Sequence, residues 1–176
     1  MAGYLSMLRG VNVGGRKVNM KELREIYESA GLEDVRTYIQ SGNVLFRCNV
    51  TDRKYLEGKL EGRLQEEFGF KIEVLIRTGT EMKKVIEGLP FTDKEPERLH
   101  VTFLSEMPGK FPHDDVNAAG SGREDYRVNG LEIYLYCTDG YGRTRLNNNF
   151  FERKLKVSAT TRNWRTVNLL CSLASA

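Results

Sequence analysis

The sequence predicts an α+β fold built from two ferredoxin-like halves, of which the second is incomplete and ends in two helices. Two observations carry this prediction. The elements predicted for the first 90 residues follow the order β-α-β-β-α-β, which is the ferredoxin-like order. A second series then begins near residue 97 with a strand, a weak helix and a hairpin. We therefore predict one half at residues 1–90 and another at residues 97–176, joined by the polar stretch 91–97.

The first strand and helix of the chain have clear local signals. An apolar run at residues 4–8 predicts a buried strand, and a glycine-rich loop follows at residues 10–18. Asn19 is a suitable N-cap for a helix whose apolar residues recur at helical spacing. Gly31 ends that helix, because glycine readily takes the left-handed conformation that terminates helices.

A hairpin, a helix and a strand complete the predicted first half. Strands at 35–39 and 44–46 flank a short turn in which Gly42 can take a positive φ. Residues 56–68 place apolar side chains every four positions, which predicts a helix, and residues 72–76 form a strand. A short third helix follows and closes before the junction between the halves.

The second half repeats part of this order. Residues 99–104 predict a strand, residues 113–118 a weak helix, and Asn129-Gly130 a two-residue hairpin turn. Two helices are then predicted, at residues 148–156 and 161–173, without an obvious final strand. The tetrapeptides Glu-Asp-Val-Arg at residues 33–36 and Glu-Asp-Tyr-Arg at residues 124–127 open the two hairpins. Either an internal duplication or chance explains this similarity.

The charge of the chain is nearly balanced overall but unevenly placed. The 176 residues include 27 basic and 24 acidic side chains, a net charge of +3 that does not indicate a nucleic-acid-binding protein by itself. Residues 140–176, however, contain seven basic residues and one acidic residue. This asymmetry favours an anionic partner, and the alternative is a solvated basic helix face.

Cysteine usage and hydropathy predict a cytoplasmic protein. The three cysteines, an odd number without a CxxC pair, argue against a disulfide framework or a zinc site. Arg9 precedes any signal-like apolar run, and no stretch approaches the ~20 apolar residues that cross a bilayer. We expect neither His100, His113 nor the cysteines to bind a metal or to act in catalysis, and we expect no cofactor.

The glycine-rich loop resembles a phosphate loop only in part. Gly10 and Gly15 match a G-x-x-x-x-G spacing, but Lys17 comes one residue late and Val18 stands where a magnesium-binding hydroxyl is needed. A nucleotide-hydrolysing loop is therefore not predicted. Backbone N–H groups of such a strand-to-helix loop still favour anions, whereas the alternative is that the glycines serve only tight turns.

Topology predicts that this loop meets the turn at residues 40–43. In a split β-α-β unit the first two strands run in the same direction, so the segments that follow them leave the sheet at one end. The C-terminal half adds two further polar segments, at residues 140–149 and 159–165. Thr160 or Thr161 is a suitable N-cap, which would place Arg162 and Asn163 in the first turn of the last helix. Arginine is unfavourable there unless an anion lies nearby.

The same segments resemble the signature blocks of the bacterial domain-of-unknown-function family 1697. The blocks are Leu-Arg-Gly-Val-Asn-Val-Gly-Gly at residues 8–15, Val-Arg-Thr-Tyr-Ile-Gln-Ser-Gly-Asn-Val at residues 35–44, and Ala-Thr-Thr-Arg-Asn-Trp-Arg-Thr-Val at residues 159–167. The resemblance implies an α+β, ferredoxin-like architecture and implies no reaction.

We therefore predict a binding protein for a phosphorylated or otherwise anionic ligand, either a small molecule such as a nucleotide or a nucleic acid. The alternatives are a transferase or hydrolase that stabilises charge with arginine, asparagine and backbone amides, and a protein–protein interaction module. No membrane partner is expected, and the oligomeric state is left open. The candidate ligand-binding residues are Arg9, Asn12, Gly14, Gly15, Lys17, Gln40, Ser41, Asn43, Arg143, Arg145, Asn147, Arg162 and Asn163.

Overall fold

The first part of the computed structural model contains one four-stranded antiparallel sheet. The structure describes residues 1–39 and 41–176, so Gln40 lies outside the described residues. The elements are β1 (Ala2–Leu8), α1 (Met20–Ser29), β2 (Glu33–Tyr38), β3 (Asn43–Cys48), α2 (Arg53–Phe68) and β4 (Val74–Thr78). The strand order β2-β3-β1-β4, with every neighbouring pair antiparallel, is that of a ferredoxin-like unit.

Local chemistry explains where the two long helices of this sheet begin and end. The side-chain oxygen of Asn19 accepts the N–H groups of Lys21 and Glu22, and Asp52 caps α2 in the same way. Gly31 follows α1 with a φ of +84°, as the sequence predicts. Apolar residues of both helices pack on one face of the sheet, with Tyr27 against Phe46.

The second part of the chain forms a second sheet of the same kind. Its elements are α3 (Gly79–Glu87), β5 (Leu99–Leu104), α4 (His113–Ala119), β6 (Glu124–Asn129), β7 (Glu132–Cys137), α5 (Asn148–Leu155), β8 (Ala159–Asn163) and α6 (Trp164–Ala174). The strand order is β6-β7-β5-β8, again entirely antiparallel. Two ferredoxin-like halves are thus confirmed.

The prediction that the second half is incomplete is wrong, because β8 supplies its final strand. Residues 159–163 pair with β5 from Leu104↔Ala159 to His100↔Asn163. The sequence predicts a helix N-cap at Thr160 or Thr161, but threonine also fits a strand, and pairing with a distant strand decides between the two. The last helix begins at Trp164, so the two final helices are separated by a strand and Arg162 is not in a helical turn.

The chain divides into two compact units at a different place from the predicted junction. Unit 1 comprises Met1–Met82 together with Ser172–Ala176, and unit 2 comprises Lys83–Cys171. The division falls within α3, whereas the sequence predicts a junction at residues 91–97. Pro96 lies instead in a single 3-10 turn that leads directly into β5.

Candidate functional site

The structure brings the glycine loop, defined as residues 9–18, against the turn that joins β2 to β3. β1 and β2 both run antiparallel to β3, so the segments that follow them leave the sheet at the same end. The Leu8 N–H donates to the Gly42 carbonyl oxygen over 2.8 Å. A Cβ on Gly42 would lie 2.7 Å from Cγ2 of Val11, so the turn packs on the loop without room for a side chain.

Asn12 folds the glycine loop onto itself. Its N–H donates to the Arg16 carbonyl over 2.6 Å, and its side-chain oxygen accepts the Val18 N–H over 2.9 Å. Asn12 has a φ of +56°, a left-handed conformation that asparagine tolerates better than most residues. The loop therefore has a defined shape before any ligand arrives.

The tip of the glycine loop is open to solvent and basic. Gly14 and Gly15 are exposed, with φ values of +57° and +83°, and a Cβ on either would meet no atom within 4 Å. Among the described residues, no hydrogen bond occupies the N–H of either glycine. Arg16 and Lys17 are exposed beside them, and the Arg16 guanidinium lies 5.6 Å from the centre of the Phe70 ring.

The N-terminus of α1 is not part of this open surface. Asn19 already accepts the N–H groups of Lys21 and Glu22, and Glu22 adds a negative charge in the first turn. An anion would therefore meet the exposed glycine N–H groups and the loop cations rather than the helix terminus.

The polar residues of the turn hold the hairpin together. Asn43 is fully buried, and its side-chain amide donates to the Tyr38 carbonyl and to the Ser41 hydroxyl, each over 3.0 Å. Ser41 is half-buried, and Gln40 lies outside the described residues. Ile39 precedes it with an exposed side chain and a φ of +51°. Asn43 thus holds the turn in place, and its assignment as a ligand-binding residue stays a prediction.

The two polar segments of unit 2 also lie together. The Thr161 hydroxyl donates to the Asn148 side-chain oxygen over 2.6 Å and lies 2.8 Å from the Thr102 hydroxyl. The Tyr141 ring stacks on His100 with ring centres 4.9 Å apart. Burial lowers the pKa of His100, and the hydrogen bond with the Arg98 backbone acts in the opposite direction.

The candidate residues of unit 2 divide into exposed and buried groups. Arg143 and Arg145 are exposed, and Asn147 caps α5 by accepting the Phe150 N–H over 3.0 Å. Asn163 likewise caps α6 by accepting the Thr166 N–H over 2.8 Å. The two asparagines therefore cap helices, and their assignment as ligand-binding residues stays a prediction.

Arg162 is buried within β8, with only 6% of its surface exposed. Its guanidinium donates to the Thr160 hydroxyl over 2.7 Å and to the Thr161 carbonyl over 3.0 Å. Burial lowers the pKa of Arg162 to about 10, with Tyr141 acting in the opposite direction.

Three residues at the loop and turn are absent from the binding residues that the sequence predicts. Arg16 shares the Gly-Gly-Arg-Lys run with the selected residues, and its charge was a usable signal. Val13 and Ile39 are exposed apolar side chains, which only the structure reveals.

Among the described residues, no three His, Cys, Asp or Glu side chains cluster to hold a metal. No helix in the described part of the chain is long and apolar enough to span a membrane.

The fold and the loops define a two-unit α+β protein with a basic, glycine-rich strand-to-helix loop. The chain belongs to the family described as Protein of unknown function (DUF1697), which matches residues 1–134. Two of the three resembling blocks fall in that range, and the block at residues 159–167 lies beyond it.

A solved structure has a similar fold along the whole chain. It is that of the conserved bacterial protein SP0830 from Streptococcus pneumoniae, with a TM-score of 0.77 and 24% sequence identity. The similarity covers 100% of this chain and 99% of that chain, and at this identity it shows the fold alone. No protein with a curated description matches the chain.

Proposed function

We propose that this protein binds a phosphorylated or otherwise anionic ligand at the glycine loop. One observation carries the proposal: Gly14 and Gly15 expose N–H groups that no hydrogen bond occupies among the described residues, beside the exposed cations Arg16 and Lys17. Exposed amides and cations on one loop are the groups that hold phosphate oxygens in proteins.

The shape of the loop favours this binding energetically. The two hydrogen bonds of Asn12 and the packing of Gly42 on Val11 hold the loop in place. A bound ligand then restricts few further backbone torsions, so binding costs less conformational entropy. Glycine at the tip also allows an anion to approach the backbone closely.

Binding is favoured over proton-transfer catalysis by the residue types present. The glycine loop and residues 39–43 contain no Asp, Glu, His or Cys. General acid–base catalysis at neutral pH relies mostly on those side chains, so these two segments are suited to hold charge rather than to move protons. A transferase or hydrolase would need a further group from elsewhere in the chain.

The proposal is tested by calorimetric titration with sodium pyrophosphate. Arg16→Ala and Lys17→Ala should each weaken binding by ~1–3 kcal/mol, the scale of a hydrogen bond to a charged group. Lys21→Ala is the matched control, because Lys21 is an exposed cation on α1 and its removal changes the net charge equally.

Two outcomes would contradict the proposal. If the titration with pyrophosphate gives the same heats as a titration with sodium chloride of equal ionic strength, no saturable site exists. Alternatively, Lys21→Ala could weaken binding as much as Lys17→Ala, which would show a general response to charge. A single-stranded oligonucleotide that binds with an affinity falling steeply with salt, while pyrophosphate does not bind, would indicate nucleic acid as the ligand instead.

A further inference from the structure

Two large apolar side chains are exposed, one in the glycine loop and one at the start of the β2–β3 turn that packs on this loop. Val13 is 59% exposed and Ile39 is 43% exposed, and they are two of the five large apolar side chains exposed in the described part of the chain. Val13 lies two residues from Val11, which packs against Gly42. Ile39 is tied to the same glycine, because its carbonyl accepts the Gly42 N–H over 3.4 Å.

The backbone of Ile39 makes its presence at this position costly. Its φ of +51° lies in the left-handed region, where a β-branched side chain is strongly disfavoured. Glycine or asparagine would fit that conformation better. Because the side chain is also exposed, packing within the described protein does little to offset the strain.

The glycine loop carries both cations and an apolar side chain, and the turn that packs on it carries a second apolar side chain. Arg16 and Lys17 flank the exposed glycines, and Val13 directly precedes Gly14. An inorganic anion would bind the cations and leave the side chains of Val13 and Ile39 exposed to water. A ligand with a phosphate group and an apolar face would cover both kinds of surface, as ligand sites commonly combine apolar lining with a few polar groups.

We propose that the ligand of the glycine loop is a nucleotide, with its phosphates at Gly14 and Gly15 and its base against Val13 and Ile39. This inference rests on the proposed function, since it requires that the glycine loop binds phosphate. It assigns the affinity for the organic part of the ligand to two aliphatic side chains. These side chains are distinct from the cations that hold the phosphates.

The experiment compares nucleoside diphosphates with pyrophosphate by calorimetric titration. We expect the tightest of ADP, GDP, CDP and UDP to bind at least about tenfold more tightly than pyrophosphate, because it alone covers apolar surface. Val13→Ser and Ile39→Asn should each weaken nucleotide binding about tenfold and leave pyrophosphate binding unchanged. Met107→Ser is the control, since Met107 is 64% exposed elsewhere in the chain.

Thermal denaturation of Ile39→Asn separates a folding defect from a binding defect. Asparagine tolerates the left-handed conformation, so this variant should melt at or above the temperature of the parent protein. A loss of nucleotide affinity in a variant of equal or higher stability then reports a lost contact.

The outcomes distinguish this inference from the proposed function. If pyrophosphate binds and no nucleotide binds more tightly, the nucleotide inference is overturned and the anion site stands. If nucleotides bind more tightly but Val13→Ser and Ile39→Asn change nothing, the assignment of the base to these side chains is overturned. If neither pyrophosphate nor a nucleotide binds, the proposed function itself fails.

Discussion

Individual polar residues that look alike in the sequence have different roles in the structure. Arg162 and Lys17 both belong to polar, glycine- or threonine-containing segments, yet Arg162 is buried and hydrogen-bonded whereas Lys17 is exposed. Asn43 is likewise fully buried and bonded within its own hairpin. Residue type indicates which bonds a side chain can make, and burial decides whether the protein itself uses them.

Replacing Arg162 by alanine should destabilise the protein. The change removes the hydrogen bonds to Thr160 and Thr161 and leaves unfilled space in the interior, so we expect a loss of about 3 kcal/mol in the free energy of unfolding. Urea denaturation measures it. Arg165→Ala is the control, because Arg165 is exposed and its replacement should change stability by less than about 0.5 kcal/mol.

The opposite result would remove the structural role of Arg162. If Arg162→Ala kept the stability of the parent protein, the hydrogen bonds to Thr160 and Thr161 would contribute little to folding.

At the scale of elements, some helices and strands can be predicted from a few neighbouring residues, whereas others depend on pairing with a distant strand. Thr78 and Glu81 form a capping box at the start of α3, with the Thr78 N–H donating to the Glu81 carboxylate over 2.7 Å and the Glu81 N–H donating to the Thr78 hydroxyl over 3.2 Å. This start could be read from four consecutive residues. β8 could not, because its identity as a strand depends on β5, about 60 residues away in the chain.

The packing of the β2–β3 turn on the glycine loop predicts an unequal response of two glycines to alanine. Gly42 and Gly31 both have positive φ values, +75° and +84°, so alanine should cost ~1–2 kcal/mol at each from backbone strain. At Gly42 the new Cβ would also lie 2.7 Å from Val11, whereas at Gly31 it meets nothing within 4 Å. We expect Gly42→Ala to cost a further ~1–3 kcal/mol.

Chemical denaturation of the two variants measures this difference. Equal losses in the free energy of unfolding for Gly42→Ala and Gly31→Ala would show that the glycine loop moves to make room for the new Cβ. The loop and the turn would then not be packed tightly together. The rigid loop pair invoked for ligand binding would then lose its support.

At the scale of the whole molecule, the two units share more than strand order. The Glu-Asp-x-Arg sequences open β2 and β6, which are the second strands of their sheets. β4 and β8 each carry a buried arginine, Arg77 and Arg162, as the next-to-last residue before a helix. Equivalent residues at equivalent places favour an internal duplication over chance similarity.

The assignment of the last five residues to unit 1 leads to a prediction for Gly79. A Cβ there would lie 2.6 Å from the Ala174 carbonyl oxygen, so alanine must displace that backbone. We expect Gly79→Ala to destabilise the protein by ~1–2 kcal/mol, although alanine normally stabilises a helix by up to ~1 kcal/mol relative to glycine.

Gly58→Ala is the matched control for this effect. Gly58 lies in α2, and a Cβ there meets no atom within 4 Å, so alanine should stabilise the protein by about 0.5–1 kcal/mol. Thermal denaturation should show opposite signs for the two variants. A stabilised Gly79→Ala would mean that residues 172–176 do not lie firmly against α3.

Local sequence patterns are enough to predict the β-α-β-β-α-β order, the cap at Asn19, the terminating Gly31 and the Asn129-Gly130 turn. Each depends on residues within a few positions of one another, where side-chain period and backbone preference act. Four features appear only in the folded chain: the strand β8, the burial of Arg162, the contact of Gly42 with Val11 and the place of residues 172–176. These features depend on strand pairing and exclusion of water between distant segments, and no local pattern contains that information.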